Sequence, residues 1–326
     1  MFAPALKTIN RVAPKLAALS SKLSHRQELA RYRKNLPCLP LGDRLVVNAL
    51  RKEGVCISSL EALKISSTAQ LLHAAHQVLP SLATMSPTPS TNVWTRESHA
   101  VQIGSGQAIA KHPDLFTWGL EDRLLNLVES YIGLPVAYFG VSLCRDIADG
   151  QQVGTRLWHR DGEDHRVVKI IIYLNDVDEA GGPFEYIPRR LTPAGRRVVP
   201  YENRLDKGMK QIVPQSAWQA CTGAAGTVVI VDTANVFHHG KLPQTDRLAL
   251  FFTYTSRNPK RASLYTHVNS DVYKEGLMRL ASKLTPRQRD CIYWGREFLQ
   301  TPVVDDRVVT NQDCKISSSV EKSLAL

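Results

Sequence analysis

The chain has 326 residues, 43% of them hydrophobic and 22% charged, a balance that fits an ordinary globular protein and excludes disordered and collagen-like classes. No run reaches the roughly 18 apolar residues of a membrane span and no signal-peptide pattern opens the sequence, so a soluble mature protein is expected. The net charge of +11 does not describe a nucleic-acid binder, because it is concentrated in residues 1–34, where Glu28 alone opposes eight Lys and Arg, and in residues 189–210, where Glu202 and Asp206 oppose seven.

The first basic stretch has helical spacing: Leu16, Leu19 and Leu23 recur at i, i+3 and i+7, with Lys15, Lys22 and Arg26 on an adjoining face and Pro14 suited to a first turn. Taken as residues 1–36, it reads as a solvated basic arm, with a transit peptide or a membrane-surface helix as alternatives. A helix, a strand and a helix follow from residue 42. Leu45, Val46 and Leu50 are periodic, Gly54-Val55-Cys56-Ile57 is extended, and Ser67 or Thr68 caps the next helix. Residues 86–91 read as a loop. Gly104-Ser105-Gly106 lacks the third glycine of a dinucleotide loop and reads as a flexible connection. One helix is expected from Pro113 to Gly133, carrying Leu115, Phe116, Leu124, Leu127 and Val128.

Beyond residue 134 the texture turns to short strands, at Val136–Leu143, Val167–Leu174, Phe184–Ile187, Thr227–Val231 and Leu248–Thr255, separated by Gly, Pro, Asn and Asp. This pattern predicts a mainly β fold with flanking helices, of sandwich or jelly-roll type. The basic stretch 189–210 interrupts the strands as a long insertion, read either as a solvated loop or as a cationic lid for an anionic substrate, with Arg196 and Arg197 as contacts. Helices near Val272–Ser282 and from Thr285-Pro286 precede a polar tail. The expected organisation is a core over 37–258, C-terminal helices packed on it over 259–300, and a tail over 301–326.

Chemistry is expected where histidines meet the strands. Trp158-His159-Arg160-Asp161-Gly162 places His159 and Asp161 two residues apart, so on extended backbone both side chains reach one face. An apolar strand follows directly. A second histidine site, Phe237-His238-His239-Gly240, lies between the strand ending at Val231 and the strand that Arg247 opens. Adjacent histidines on a strand point to opposite faces, so one metal takes only one of them, and spacing alone leaves His238 and His239 equivalent. Two imidazoles and one carboxylate leave positions open for a co-substrate and O2, the facial set of non-haem Fe(II) oxygenases. Arg247, at the mouth of an apolar barrel, requires an anionic partner, and its planar fork suits a carboxylate.

Taken together, His159-x-Asp161, Asn175-Asp176-Val177, Gly181-Gly182-Pro183-Phe184, His238-x-Gly240 and Arg247 resemble the phytanoyl-CoA dioxygenase family of Fe(II)/2-oxoglutarate oxygenases over about residues 40–258. The resemblance implies a double-stranded β-helix, with iron held by His159, Asp161 and His238. It implies 2-oxoglutarate as co-substrate, anchored by Arg247 with Lys169 as a second contact, and O2-driven hydroxylation with release of succinate and CO2. His239 is then a neighbour of the site and not a ligand. Related halogenases replace the carboxylate ligand with a small residue, so Asp161 favours hydroxylation or desaturation. Ile187-Pro188-Arg189-Arg190 departs from the Gly-Ser-His-like ending of many relatives and sets the substrate-side loop apart.

The remaining candidates read as structural. His73 and His76 lie one helical turn apart with no carboxylate pattern and read as surface residues. Glu163, Asp164 and His165 read as solvated or as supports behind the ligands. The six cysteines include no CxxC pair, which points away from zinc ribbons and disulfide frameworks and toward a reducing compartment, cytoplasmic by default or organellar if the arm is a transit peptide. Two other classes stay open: a non-catalytic metal-binding jelly roll tethered through residues 1–34, and a metal-dependent hydrolase or isomerase on the same barrel.

Overall fold

The computed structural model describes residues 20–87, 99–192, 204–264, 268 and 270–294. The helices, in chain order, are α1 (residues 20–32), α2 (Leu41–Glu53), α3 (Leu60–Leu63), α4 (Thr68–Thr84), α5 (Ser105–Lys111), α6 (Pro113–Thr117), α7 (Asp122–Ile132), α8 (Asp206–Met209), α9 (Asp271–Ala281) and α10 (Pro286–Tyr293). The strands are β1 (Val55–Ser59), β2 (Ala100–Gly104), β3 (Val136–Asp146), β4 (Val168–Tyr173), β5 (Phe184–Ile187), β6 (Gln219–Cys221), β7 (Thr227–Asp232), β8 (Phe237–Gly240) and β9 (Arg247–Ser256). Among the described residues no helix is long and apolar enough to cross a membrane.

Two antiparallel sheets face each other. The larger has the order β1-β7-β4-β9-β3-β2 and the smaller the order β6-β5-β8, extended beyond β8 by a bridge between His159 and His238. Without its edge strands β1 and β2, the larger sheet contributes four strands, β7, β4, β9 and β3, which face the three strands and the bridged segment of the smaller sheet; four segments on four make a double-stranded β-helix, or jelly roll. The period of two along each strand decides which layer a side chain joins. In β4, Val168, Ile170 and Ile172 point outward to the helices with Val228, Ile230, Leu250, Phe252 and Tyr254. Ile171 and Tyr173 point inward with Val229, Val231 and Ala249, against Phe184, Cys221 and Val236 of the smaller sheet and its approaches. Each such isoleucine or valine contributes about 1.5–3 kcal/mol by leaving water. A third cluster, Trp158, Ile187, Met209, Val213, Trp218 and Phe237, covers the back of the smaller sheet.

The single helix expected from Pro113 to Gly133 is two helices separated by the 3₁₀ turn Trp118–Leu120. The break has a cause in the barrel. A Cβ on Gly119 would strike the Tyr138 ring and sit 2.8 Å from Phe252 Cδ1. The carbonyls freed at the break are taken by strand tyrosines: Tyr138 Oη donates to Phe116 O at 3.0 Å, and Tyr254 Oη donates to Gly119 O at 2.8 Å. The Gly104-Ser105-Gly106 stretch is likewise no loop, because β2 runs straight into α5 there.

From residue 20 the basic arm is helical and rests on the core. Leu29 and Tyr32 pack against the outer cluster, Tyr32 Oη donates to Glu129 Oε1 at 2.5 Å, and His25 stacks on His165 at 3.8 Å. Leu16, Leu19, Pro14 and the tail 301–326 lie outside the described residues. The capping box at the start of α10, in which Thr285 and Gln288 bond reciprocally, matches the Thr-Pro signal in the sequence.

Gly119→Ala should lower unfolding free energy by about 1–3 kcal/mol, the usual cost of forcing atoms into a packed core, while Gly42→Ala, with open space around its Cβ, should not. Urea denaturation followed by circular dichroism would check this, and equal midpoints for the two variants would refute the packing account.

Candidate metal centre

His159 and His238 lie directly opposite one another on neighbouring antiparallel segments. Each backbone N–H donates to the other residue's carbonyl at 3.0 Å, and the rings stand 4.3 Å apart. Such directly opposed residues share a face of the sheet. Asp161, two residues on, returns to that same face and is held by its own N–H donating to Thr233 O at 3.0 Å. One donor atom from each of the three falls within 4.8 Å of the other two. His159 Nε2 lies 3.7 Å and His238 Nε2 4.0 Å from Asp161 Oδ1. Two donors bound to one metal at about 2.1 Å each must lie within about 4.2 Å of one another, and both of these pairs do.

The imidazoles are prepared for ligation. Nδ1 of His159 contacts Leu157 O at 2.7 Å, and Nδ1 of His238 contacts Val236 O at 3.2 Å. A carbonyl can only accept, so Nδ1 carries the proton and Nε2 presents its lone pair. Burial lowers the pKa of both rings, that of His238 well below the ordinary histidine value. Burial acts to raise the Asp161 carboxyl, but the Lys169 ammonium, 2.6 Å from Oδ2, outweighs it and holds the group well below the carboxylate range. The site is therefore two neutral nitrogens and one carboxylate oxygen, a donor set that fits a divalent first-row metal.

The strand pleat separates the two adjacent histidines. His239 faces away, stacked on Trp158 at 4.0 Å, with Nδ1 3.0 Å from Arg156 O and Nε2 2.8 Å from Glu185 Oε2. Both of its nitrogens are engaged.

Lys169, Arg247 and Phe251 line one narrow cavity with His159 and His238, a space of about 40 Å³. It is narrow because both cations turn to protein carboxylates, Lys169 to Asp161 and Arg247 to Asp146. The anionic partner that Arg247 requires is thus present within the chain, directly across the β3–β9 pair. Arg247 also donates to Gly182 O at 2.5 Å, and among the described residues its buried Nε has no hydrogen-bond partner. Asp146 in turn accepts from His99, whose Nδ1 lies 3.0 Å from Oδ1, and lies 3.9 Å from Arg156. Sequence reading missed Asp146, His99, Arg156 and Glu185. They are scattered over about 90 positions, and only the strand-end location of Asp146 hints at a role.

The other sequence candidates lie elsewhere. His73 and His76 are exposed on α4. Asp164 accepts from Ser256 N at 3.0 Å and Ser256 Oγ at 2.6 Å, and His165 stacks on His25, so these two are structural. Arg196 and Arg197 lie outside the described residues. The described ends of the basic insertion do not form a lid over the metal centre. Arg190 pairs with Glu53 beside β1, and Met209 is buried behind the smaller sheet.

No family model matches the chain, and no curated protein matches it. Among solved structures, the α-ketoglutarate-dependent carbocyclase SnoK from nogalamycin biosynthesis is 16% identical, with a TM-score of 0.47 over 66% of this chain and 85% of that one. HygX from Streptomyces hygroscopicus, crystallised with nickel, 2-oxoglutarate and hygromycin B, is 16% identical with a TM-score of 0.45 over 65% and 87%. EctD from S. alaskensis with bound Fe is 18% identical with a TM-score of 0.44 over 65% and 75%. The jelly-roll assignment rests on the strand order of this chain itself.

Titration of the purified protein with Co(II) by calorimetry should show one site. His238→Ala should weaken it at least about 100-fold, and His239→Gln should leave it within about threefold. Because His159 and His238 have lowered pKa values, affinity should hold as pH falls through about 6.5, where an ordinary histidine protonates, and drop only in more acid solution. A drop centred on 6.5 would contradict the burial argument.

Proposed function

We propose that the chain is an Fe(II)/2-oxoglutarate-dependent oxygenase of the phytanoyl-CoA dioxygenase type, with iron held by His159, Asp161 and His238. The observation that supports this reading most is the convergence of two neutral Nε2 atoms and one carboxylate oxygen beside a cavity whose only described cations are Lys169 and Arg247. The bound metal supplies O2 activation coupled to oxidative decarboxylation of 2-oxoglutarate to succinate and CO2, with oxidation of an organic C–H bond. A hydrolase needs no pair of cations aimed at a dicarboxylate, which sets that alternative lower.

Arg247 anchors the distal carboxylate of 2-oxoglutarate. Its guanidinium is buried, with Nη1 held by Gly182 O and Nη2 by Asp146 and with Nε unpartnered among the described residues, so it is oriented before an anion arrives and loses little orientation entropy on binding. Lys169 has a second part. With the charge of Asp161 taken by a divalent ion, the Lys169 ammonium loses much of its attraction to that carboxylate and becomes available to a co-substrate oxygen. The apolar walls Ile171, Phe184 and Phe251 exclude water from the reacting end.

Anaerobic addition of Fe(II) and then 2-oxoglutarate should produce the weak visible charge-transfer band of the chelate, absent in His159→Ala, Asp161→Ala and His238→Ala. Iron binding without the band would exclude the 2-oxoglutarate assignment. The double variant Arg247→Gln/Asp146→Asn, which keeps the buried pair neutral, should bind metal as the parent does and lose at least about 30-fold in 2-oxoglutarate affinity, about 2 kcal/mol. Unchanged affinity would remove Arg247 from the role.

A further inference from the structure

A cavity of about 440 Å³ opens between β2, α5, β3, β9 and the start of α9. That is within the usual range of about 300–1,000 Å³ for small-molecule sites. We propose that this cavity receives the organic substrate, and that the part of the substrate it holds is uncharged and carries hydroxyl or amide groups. The word substrate rests on the oxygenase reading above; the chemistry of the ligand does not.

Position comes first. The strand register pairs Ile171 with Phe251 and Lys169 with Thr253 across β4 and β9, and Thr253 with Gly140 across β9 and β3. Phe251 belongs to the walls of both this cavity and the metal cavity. Lys169 touches Asp161, so Thr253 stands one strand spacing, about 4.8 Å, from a residue in contact with a metal-ligand candidate. Phe251 is thus the side chain that the two cavities have in common.

The cavity is built, not left over from poor packing. β3 bulges between Tyr138 and Gly140, and Gly140 takes φ +100°, where a Cβ would also collide with Ser105. Ser105 Oγ fills the place of a paired strand there, donating to Val141 O and accepting from Val141 N, both at 2.8 Å. The bulge and this bridge hold α5 close, while beside the cavity the inward positions Gly140 and Ser142 of β3 carry no large side chain, so volume remains.

Wall chemistry then limits the ligand. Gln102, Gln107, Ser142 and Thr253 supply amides and hydroxyls, Phe139 and Phe251 supply apolar faces, and no described wall residue is ionisable. Among the described residues, neither Gln107 nor Thr253 spends its side chain on a protein hydrogen bond. A carboxylate or phosphate placed there would lose its water with no cation in return, at a cost of several kcal/mol. The described N-terminal end of the basic insertion does not supply one, because Arg189 and Arg190 sit beside Glu53 near β1, at the opposite edge of the sheet from β2.

The test is a ligand-observed NMR screen of the full chain with paired probes. Methyl glucoside, N-acetylglucosamine and N-acetyl-leucinamide are the uncharged members; glucose 6-phosphate and N-acetyl-leucine are their anionic counterparts. Val272→Trp narrows the cavity from a position 53% exposed, where the fold tolerates it, and Gln107→Leu removes one amide. The expected result is that signals lost in Val272→Trp belong to uncharged probes, and that these weaken about fivefold in Gln107→Leu, the worth of one hydrogen bond. The proposal is overturned if the cavity-dependent probes are anionic, or if no probe depends on the cavity. The Fe(II)–2-oxoglutarate band of the wild-type sample is recorded in parallel. A band without cavity-dependent uncharged probes rejects the cavity assignment alone; such probes without a band reject the oxygenase reading and leave a neutral-ligand site.

Discussion

The antiparallel pairing of His159 with His238 is the constraint on which the site depends. Once those two residues exchange backbone hydrogen bonds, the pleat puts their rings on one face, returns Asp161 to it two residues later, and sends Trp158 and His239 to the other. A slip of one residue in that pairing would place His239 opposite His159 and turn the His238 ring to the other face, away from Asp161. The register is secured by burial on both sides. Ile187 and Phe237, paired across β5 and β8, belong to the cluster behind the smaller sheet, while Phe184 packs on the inner side.

The second feature is the placement of charge inside the barrel. Lys169–Asp161 and Arg247–Asp146 are buried or nearly so, and replacing such pairs with apolar side chains commonly leaves stability unchanged or raises it. Their presence is therefore not explained by folding. Both cations line the cavity beside His159 and His238, and each is held in place by its carboxylate partner. The network behind Asp146, which reaches His99 and Arg156, ties this arrangement to the start of β2 and to the turn before His159.

The helical layer shapes the barrel from outside. Tyr138 and Tyr254 reach out of the sheet to the broken helix at Gly119, and Ser105 reaches in from α5 to the bulge of β3. The first contact fixes where α6 ends and α7 begins. The second holds open the larger cavity beside Phe251. Both depend on a glycine facing a side chain from a distant part of the chain, so neither is visible as local propensity.

Much was legible in the sequence because it follows from local period and turn chemistry. The inner strands of the larger sheet, the start of α10 at Thr285-Pro286, the end of α7 at Gly133 and the same-face geometry of His159 and Asp161 all follow from alternation or from residues within a few positions. β2 and β6 were not legible, since Ala100–Gly104 and Gln219–Cys221 are short and become strands only by pairing with β3 and β5. Nor was the fate of the charged residues. That Arg247 finds Asp146, that Lys169 finds Asp161, and that the described ends of the basic insertion lie behind and beside the sheets are consequences of which strands neighbour which. Sequence period determines the face a side chain takes; only tertiary pairing decides what it meets there, because the partners are separated by up to about a hundred residues and chosen by register.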